Sequence, residues 1–197
     1  MDIILALTKE LNVEKWQIEA AVKLIDEGNT IPFISRYRKE VTGALNDEVL
    51  RNLNDRLTYL RNLEEKKTQV LSSIEEQGKL TEELKKQILE AQTLVVVEDL
   101  YRPYRPKRRT RATIAKEKGL EPLANIILLQ MTDKSLEEEA KAFVSEEKEV
   151  ATVEEAISGA KDIVAESISD KADYRSEIRE RTFRKGMLVS TAKKPEE

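Results

Sequence analysis

Apolar positions along this chain recur every three to four residues and almost nowhere every second one, which is the period of helices packed on one face. Val13, Trp16, Ala20 and Leu24 mark such a face, widened by Ala21 and Ile25. Asn12 is placed to cap the first free amides of this helix, and Gly28 to end it in a left-handed conformation. The pattern assigns Trp16 to a core. Thr30 and Pro32 then open a second, shorter helix, whose Phe33 and Tyr37 are also expected in the core. Helix, Gly-containing turn, helix is a helix-turn-helix-like arrangement, one that also occurs in proteins that never touch DNA.

The longest stripe begins after Asn46-Asp47-Glu48, whose acids suit the positive end of a helix dipole. Leu50, Leu53, Leu57 and Leu60 step by three and four, and Val70, Leu71 and Ile74 continue the stripe to Gln77-Gly78. About 30 residues at 1.5 Å each give a helix of roughly 45 Å. Thr81 caps a return helix with Leu84, Ile88 and Ala91, so the two form a long antiparallel helical hairpin. Val95, Val96 and Val97 are too few to demand a sheet. Pro103 and Pro106 keep the next stretch out of a regular helix. Thr110 starts a short helix that ends at Gly119, and Pro122 opens another over Leu123 to Leu129. Ser135 with Glu138 and Thr152 with Glu155 both have capping-box spacing. A last helix is expected from about Asp173 to Lys185, stopped by Gly186, with Met187 to Ser190 as a possible strand.

The expected class is therefore all-α. A helix-turn-helix-like part covers 1–46, the hairpin 47–92, and a second helical part 93–190 with a basic loop at 102–111. Residues 191–197 read as a tail cut before further domains. No internal repeat or low-complexity linker is visible.

Composition narrows the chemistry. The 197 residues include no cysteine and no histidine, which removes disulfides, thiolate or imidazole metal sites, cysteine nucleophiles and imidazole acid–base catalysis. No Asp-rich loop has the spacing of a cation site, so neither a metal nor another cofactor is expected. Glu98-Asp99 is a carboxylate pair without a nucleophile beside it, and reads as structural. No catalytic residue is assigned and no enzyme is predicted. The start of the chain lacks a signal peptide, no apolar run has membrane-spanning length, and a cytoplasmic protein with no membrane association is expected.

The net charge of −4 conceals strong clustering. Arg102, Arg105, Lys107, Arg108, Arg109 and Arg111 fall within ten residues that hold no acid, interleaved with Tyr104, whereas 133–180 holds 15 acids against 7 cations. Arginine forks pair with phosphate oxygens and stack on bases, and prolines preset an extended backbone for such contacts. The same cations are equally suited to strap the acidic segment or to fill a domain seam. A second cluster, Arg36, Arg38 and Lys39, lies on the short second helix, with Arg36 and Lys39 expected on one face.

Thr30-Ile-Pro-Phe-Ile-Ser-Arg-Tyr-Arg-Lys-Glu-Val-Thr-Gly43 resembles the N-terminal signature of the bacterial Tex proteins, transcription accessory factors related to a eukaryotic transcription elongation factor. Leu57 to Glu64, Glu76 to Leu80, Glu98 to Tyr101, Pro106 to Ala112 and Glu117 to Ala124 follow in the family's order, and the resemblance extends from about residue 5 to 190. Arg102 departs from it, standing where an apolar residue is expected. The resemblance implies a non-catalytic N-terminal region of a longer protein that binds RNA or DNA as a whole molecule. It also implies downstream nuclease-like, helix-hairpin-helix and OB-fold domains, the last regarded as the main nucleic-acid binder, and an association with the transcription machinery. A protein-interaction scaffold without nucleic-acid binding of its own is the alternative.

Overall fold

The computed structural model describes residues 2–106 and 108–191, and the following statements concern those residues. They form twelve α-helices and, apart from an isolated bridge between Ser145 and Val150, no β structure. The all-α class is borne out. Two units divide after Val97.

The first unit opens with α1 (Ile3–Leu11), which the apolar pattern did not announce. Asn12 ends α1 with φ 51° and donates its backbone N–H to Thr8, so it closes one helix where it was expected to open another. Helix α2 (Lys15–Asp26) starts three residues later, with Gln17 Oε1 accepting from the Glu14 N–H at 3.4 Å. Its buried side chains are Ile18, Ala21, Val22 and Leu24. Trp16 sits in the first turn beside that face, and is 53% exposed instead of belonging to the core. The turn at Gly28 leads to α3 (Ile31–Tyr37) and α4 (Lys39–Thr42). Only Ile34 of α3 is buried; Phe33 is half-buried and Tyr37 exposed, against expectation. Tyr37 is the last residue of α3, which stops at Arg38 (φ −129°).

Helix α5 (Asp47–Glu76) has the expected length of 30 residues, with Asn46 accepting from the Val49 N–H. Leu50, Leu53, Leu57, Leu60, Leu63, Val70 and Ile74 form its buried stripe. The helix packs against α1, α2 and α3, and then against α6 (Glu82–Glu90), which returns along it after Gly78. Lys67 interrupts the apolar stripe, yet its side chain is only 2% exposed. Its ammonium donates to Glu64 Oε1 at 2.8 Å and to the Leu89 carbonyl at 2.9 Å. That carbonyl lies in the last turn of α6 and has no partner within its own helix. A buried cation therefore caps α6 and joins it to α5. Bidentate pairs of Arg56 with Glu10 and Arg61 with Asp26 fasten α5 to α1 and α2 at the surface.

The division falls within α7 (Leu94–Tyr101), so the three valines continue a helix. A 3-10 turn (Arg102–Tyr104) follows, then α8 (Arg111–Glu117) and α9 (Glu121–Leu129). Next come α10 (Leu136–Lys141), α11 (Val153–Ser169) and α12 (Ala172–Lys185). Both expected helix starts at Ser135 and Thr152 are present. Helix α11 is the centre of this unit: α8, α9 and α10 all pack on it. Ala112, Ala115, Leu120, Leu123, Ala156, Ala160 and Ile163 make the core. Gly159 permits the close approach, since a Cβ there would lie 2.5 Å from Leu120 Cδ1. Helix α12 buries no side chain. Met187 to Ser190 form no strand and are open to solvent, because no neighbouring strand offers them hydrogen bonds.

Candidate nucleic-acid interface

The basic loop between α7 and α8 is shaped by its two ends. Thr110 caps α8 by accepting from the Thr113 N–H at 3.1 Å, and its hydroxyl donates to Glu166 Oε1 at 3.0 Å. Arg102 Nε donates to Asp170 Oδ1 at 3.1 Å, and Arg111 approaches Asp162 at 3.6 Å. Asp162, Glu166 and Asp170 are spaced by four along and just past α11, so they present one acidic row. That row receives Arg111, Thr110 and Arg102 in turn, which ties both ends of the loop to a single helix.

The middle of the loop is arranged differently. Arg105, Arg108 and Arg109 are all exposed. Arg105 reaches Glu98 at only 3.9 Å, the limit of an ion pair. Arg109 pairs with Glu117 at 2.8 Å, but both side chains are more than half exposed, where water screens the attraction and exchange of partner is cheap. Arg108 forms no ion pair among the described residues. A recess of about 480 Å³ opens beside them, lined by Arg102, Arg105, Arg108, Thr110, Glu166 and Asp170 among others. Tyr104 is half-buried, and Lys107 lies outside the described residues. The five described cations of the tract thus separate into anchored ends, Arg102 and Arg111, and an exposed middle, Arg105, Arg108 and Arg109.

Behind the loop, Asp99 is 7% exposed and accepts from Arg175 Nε and Arg179 Nη2, which stand four apart on α12. Burial works against the Asp99 charge, but the two guanidiniums outweigh it and hold the carboxyl below its ordinary range. Of the Glu98-Asp99 pair, Asp99 is thus engaged in an ion-pair clamp, and Glu98 lies 3.9 Å from Arg105. The acidic row and this clamp escaped the sequence reading, although acids four apart on α11 and arginines four apart on α12 were the available signals.

Arg36, Arg38 and Lys39 belong to the first unit and the loop residues to the second. The break at Arg38 divides them between α3 and α4, so the three-residue spacing of Arg36 and Lys39 no longer defines a helix face. The Arg38 guanidinium lies over the Phe33 ring, 5.1 Å from its centroid. Among the described residues no group of three acids is assembled as a metal site, and no helix is long and apolar enough to cross a membrane.

The architecture is all-α among the described residues, with a basic loop tied to the central helix of the second unit. Comparison with known families makes that specific: the Tex-like protein N-terminal domain matches residues 1–75 and the Tex central region residues 132–197. The chain belongs to the Tex family of transcription accessory proteins. It is 47% identical over 188 residues to the uncharacterized protein YdcI of Bacillus subtilis, covering 95% of this chain and 26% of that protein. It is 45% identical over 183 residues to the transcriptional accessory protein Tex of Neisseria gonorrhoeae, covering 93% and 24%. A more distant relative is the human S1 RNA-binding domain-containing protein 1, 31% identical over 179 residues, covering 90% and 18%. The chain spans about a quarter of the length of the bacterial relatives.

Proposed function

We propose that this chain is the non-catalytic N-terminal region of a cytoplasmic transcription accessory protein, and that its loop at 102–111 contacts the phosphates of RNA or DNA held by the whole molecule. The outward middle of the loop carries this reading: Arg105, Arg108 and Arg109 are exposed while both ends are tied to α11. Anchored ends reduce the entropy lost when the exposed arginines engage an anion. The names of the relatives, transcription accessory and S1 RNA-binding, agree with a nucleic-acid partner. The helix-turn-helix-like reading of α2 and α3 and an association with the transcription machinery belong to the same proposal.

A second reading has its own observation. Helix α12 buries nothing, and its Ile178 and Phe183 are 65% and 91% exposed. A protein-interaction scaffold, with a partner or downstream domains of the parent chain on this surface, would cover them.

Fluorescence anisotropy of labelled single-stranded RNA and duplex DNA, at 50 and 200 mM salt, separates the readings. Four phosphate contacts from Arg105, Lys107, Arg108 and Arg109 give a log–log salt slope of about −3.5, or roughly a hundredfold weaker binding across that range. Replacing the four by Gln should abolish the salt-sensitive part. No binding at either salt, with the chain folded by circular dichroism, would leave the scaffold reading.

A further inference from the structure

The first unit carries a group of aromatic rings that its core does not use. Trp16 is 53% exposed and Tyr37 61% exposed, although helices of this length commonly turn such rings inward. Both are held in place. The Trp16 indole edge rests on Gly43, with Cη2 only 2.5 Å from where a Cβ of that residue would lie. Gly43 has φ +63°, and its carbonyl and that of Thr42 accept from Gln17 Nε2 at 3.0 and 3.1 Å. The Tyr37 ring packs on Phe33, with centroids 5.4 Å apart, while Arg38 covers Phe33 and donates from Nη1 to the Tyr37 carbonyl.

These two arrangements flank α4, a single helical turn about 6 Å long. Arg36 and Arg38 precede it and Lys39 opens it, and Glu40 is the one acid between Gly28 and Asn46. Exposed rings fixed in position and bordered by cations match unpaired bases, whose faces stack on aromatic side chains while arginine and lysine follow the phosphates. A partner helix would instead require an apolar groove with its cations at the rim.

We propose that the α3–α4 corner is a stacking site for single-stranded nucleic acid, separate from the loop at 102–111. Tyr37 and Trp16 supply the ring faces, and Arg36 and Lys39 the phosphate contacts. Neither ring was assigned such a role by the sequence pattern, which placed both in the core.

Trp16 is the only tryptophan, so its emission reports on this corner alone. Decauridylate and decathymidylate are titrated into the unlabelled chain at 50 mM salt, with anisotropy of the labelled oligomers in parallel. The expected result is saturable quenching of Trp16 that follows the anisotropy. Tyr37→Ala should weaken it roughly tenfold, the effect of losing one stacked base. Arg36→Gln with Lys39→Gln should make it less salt-dependent. These side chains are exposed, and circular dichroism checks that each variant keeps its helices. Binding seen by anisotropy with unchanged Trp16 emission overturns the proposal while leaving the loop reading intact. So does full quenching in the Tyr37→Ala variant. Failure of any oligomer to bind overturns the proposal as well.

Discussion

Arg175 donates from Nε to Oδ1 of Asp99 at 2.6 Å across a sequence separation of 76 residues, and this bond with its Arg179 neighbour is the principal polar anchor of α12. A helix without buried side chains has little else to hold it. Asp99→Asn should therefore loosen α12 without unfolding the unit. Hydrogen exchange is expected to quicken over 172–185 while amides around Leu123 and Ile163 keep their protection. Equal loss at both places would show that the clamp supports the whole core.

The same pair gives a pH dependence with a definite sign. The Asp99 carboxyl titrates below the 3.8 of an ordinary aspartate in the folded chain, because its two guanidiniums outweigh the effect of burial. Its stabilising contribution is present above the unfolded value and is lost as pH falls through the folded one. Carboxyl NMR should find this midpoint depressed, and α12 should loosen in acid and remain anchored at neutral pH. A midpoint at or above 3.8 would contradict the clamp.

Lys67→Met should destabilise the first unit by about 1–3 kcal/mol, since the Leu89 carbonyl would lose its donor and Glu64 its bonded cation. Urea denaturation measures this. An unchanged midpoint would mean that water replaces the ammonium at no cost.

Gly43→Ala and Gly28→Ala make an informative pair, because both residues have positive φ. A Cβ at Gly28 meets nothing within 4 Å, whereas at Gly43 it meets Trp16 and Gln17 within 2.5 Å. The Gly28 substitution should cost about 1 kcal/mol from backbone strain alone. The Gly43 substitution should cost more and shift Trp16 emission, while Gly28→Ala leaves the emission alone.

In the second unit, Gly159→Ala sets helix propensity against space. Alanine favours the helical state by about 1 kcal/mol. Overpacking against Leu120 and Ala115 costs about 1–3 kcal/mol. A lower thermal midpoint is the expected outcome.

Apolar period together with end signals located α5, α6 and α9, and the capping-box spacing at Thr152 located the start of α11, because long or capped stripes leave little freedom of assignment. It failed at the short N-terminal elements. Asn12 was compatible with either end of a helix, and the choice depended on α1, whose Leu7 is buried by distant α5. Trp16 and Tyr37 have the composition of core residues, yet both are more than half exposed, which no local pattern encodes. The basic loop was evident as a cluster, but its division into tied ends and open middle was not. That division depends on acids some 60 residues away, and no local pattern encodes which cation meets which acid.

The position of α11 has a consequence for synthesis. The first unit can close as α5 leaves the ribosome, because α1, α2 and α3 precede it. Helices α8 and α9 must instead wait for a partner made after them. At ordinary elongation rates, the interval from Leu129 to Ser169 lasts roughly 2–8 s. A released chain ending at Leu129 should accordingly resist protease through α5 and be cut within α8 and α9. For those seconds the exposed leucines and alanines are open to chaperones, and the order in which the ribosome delivers the helices governs how long that exposure lasts.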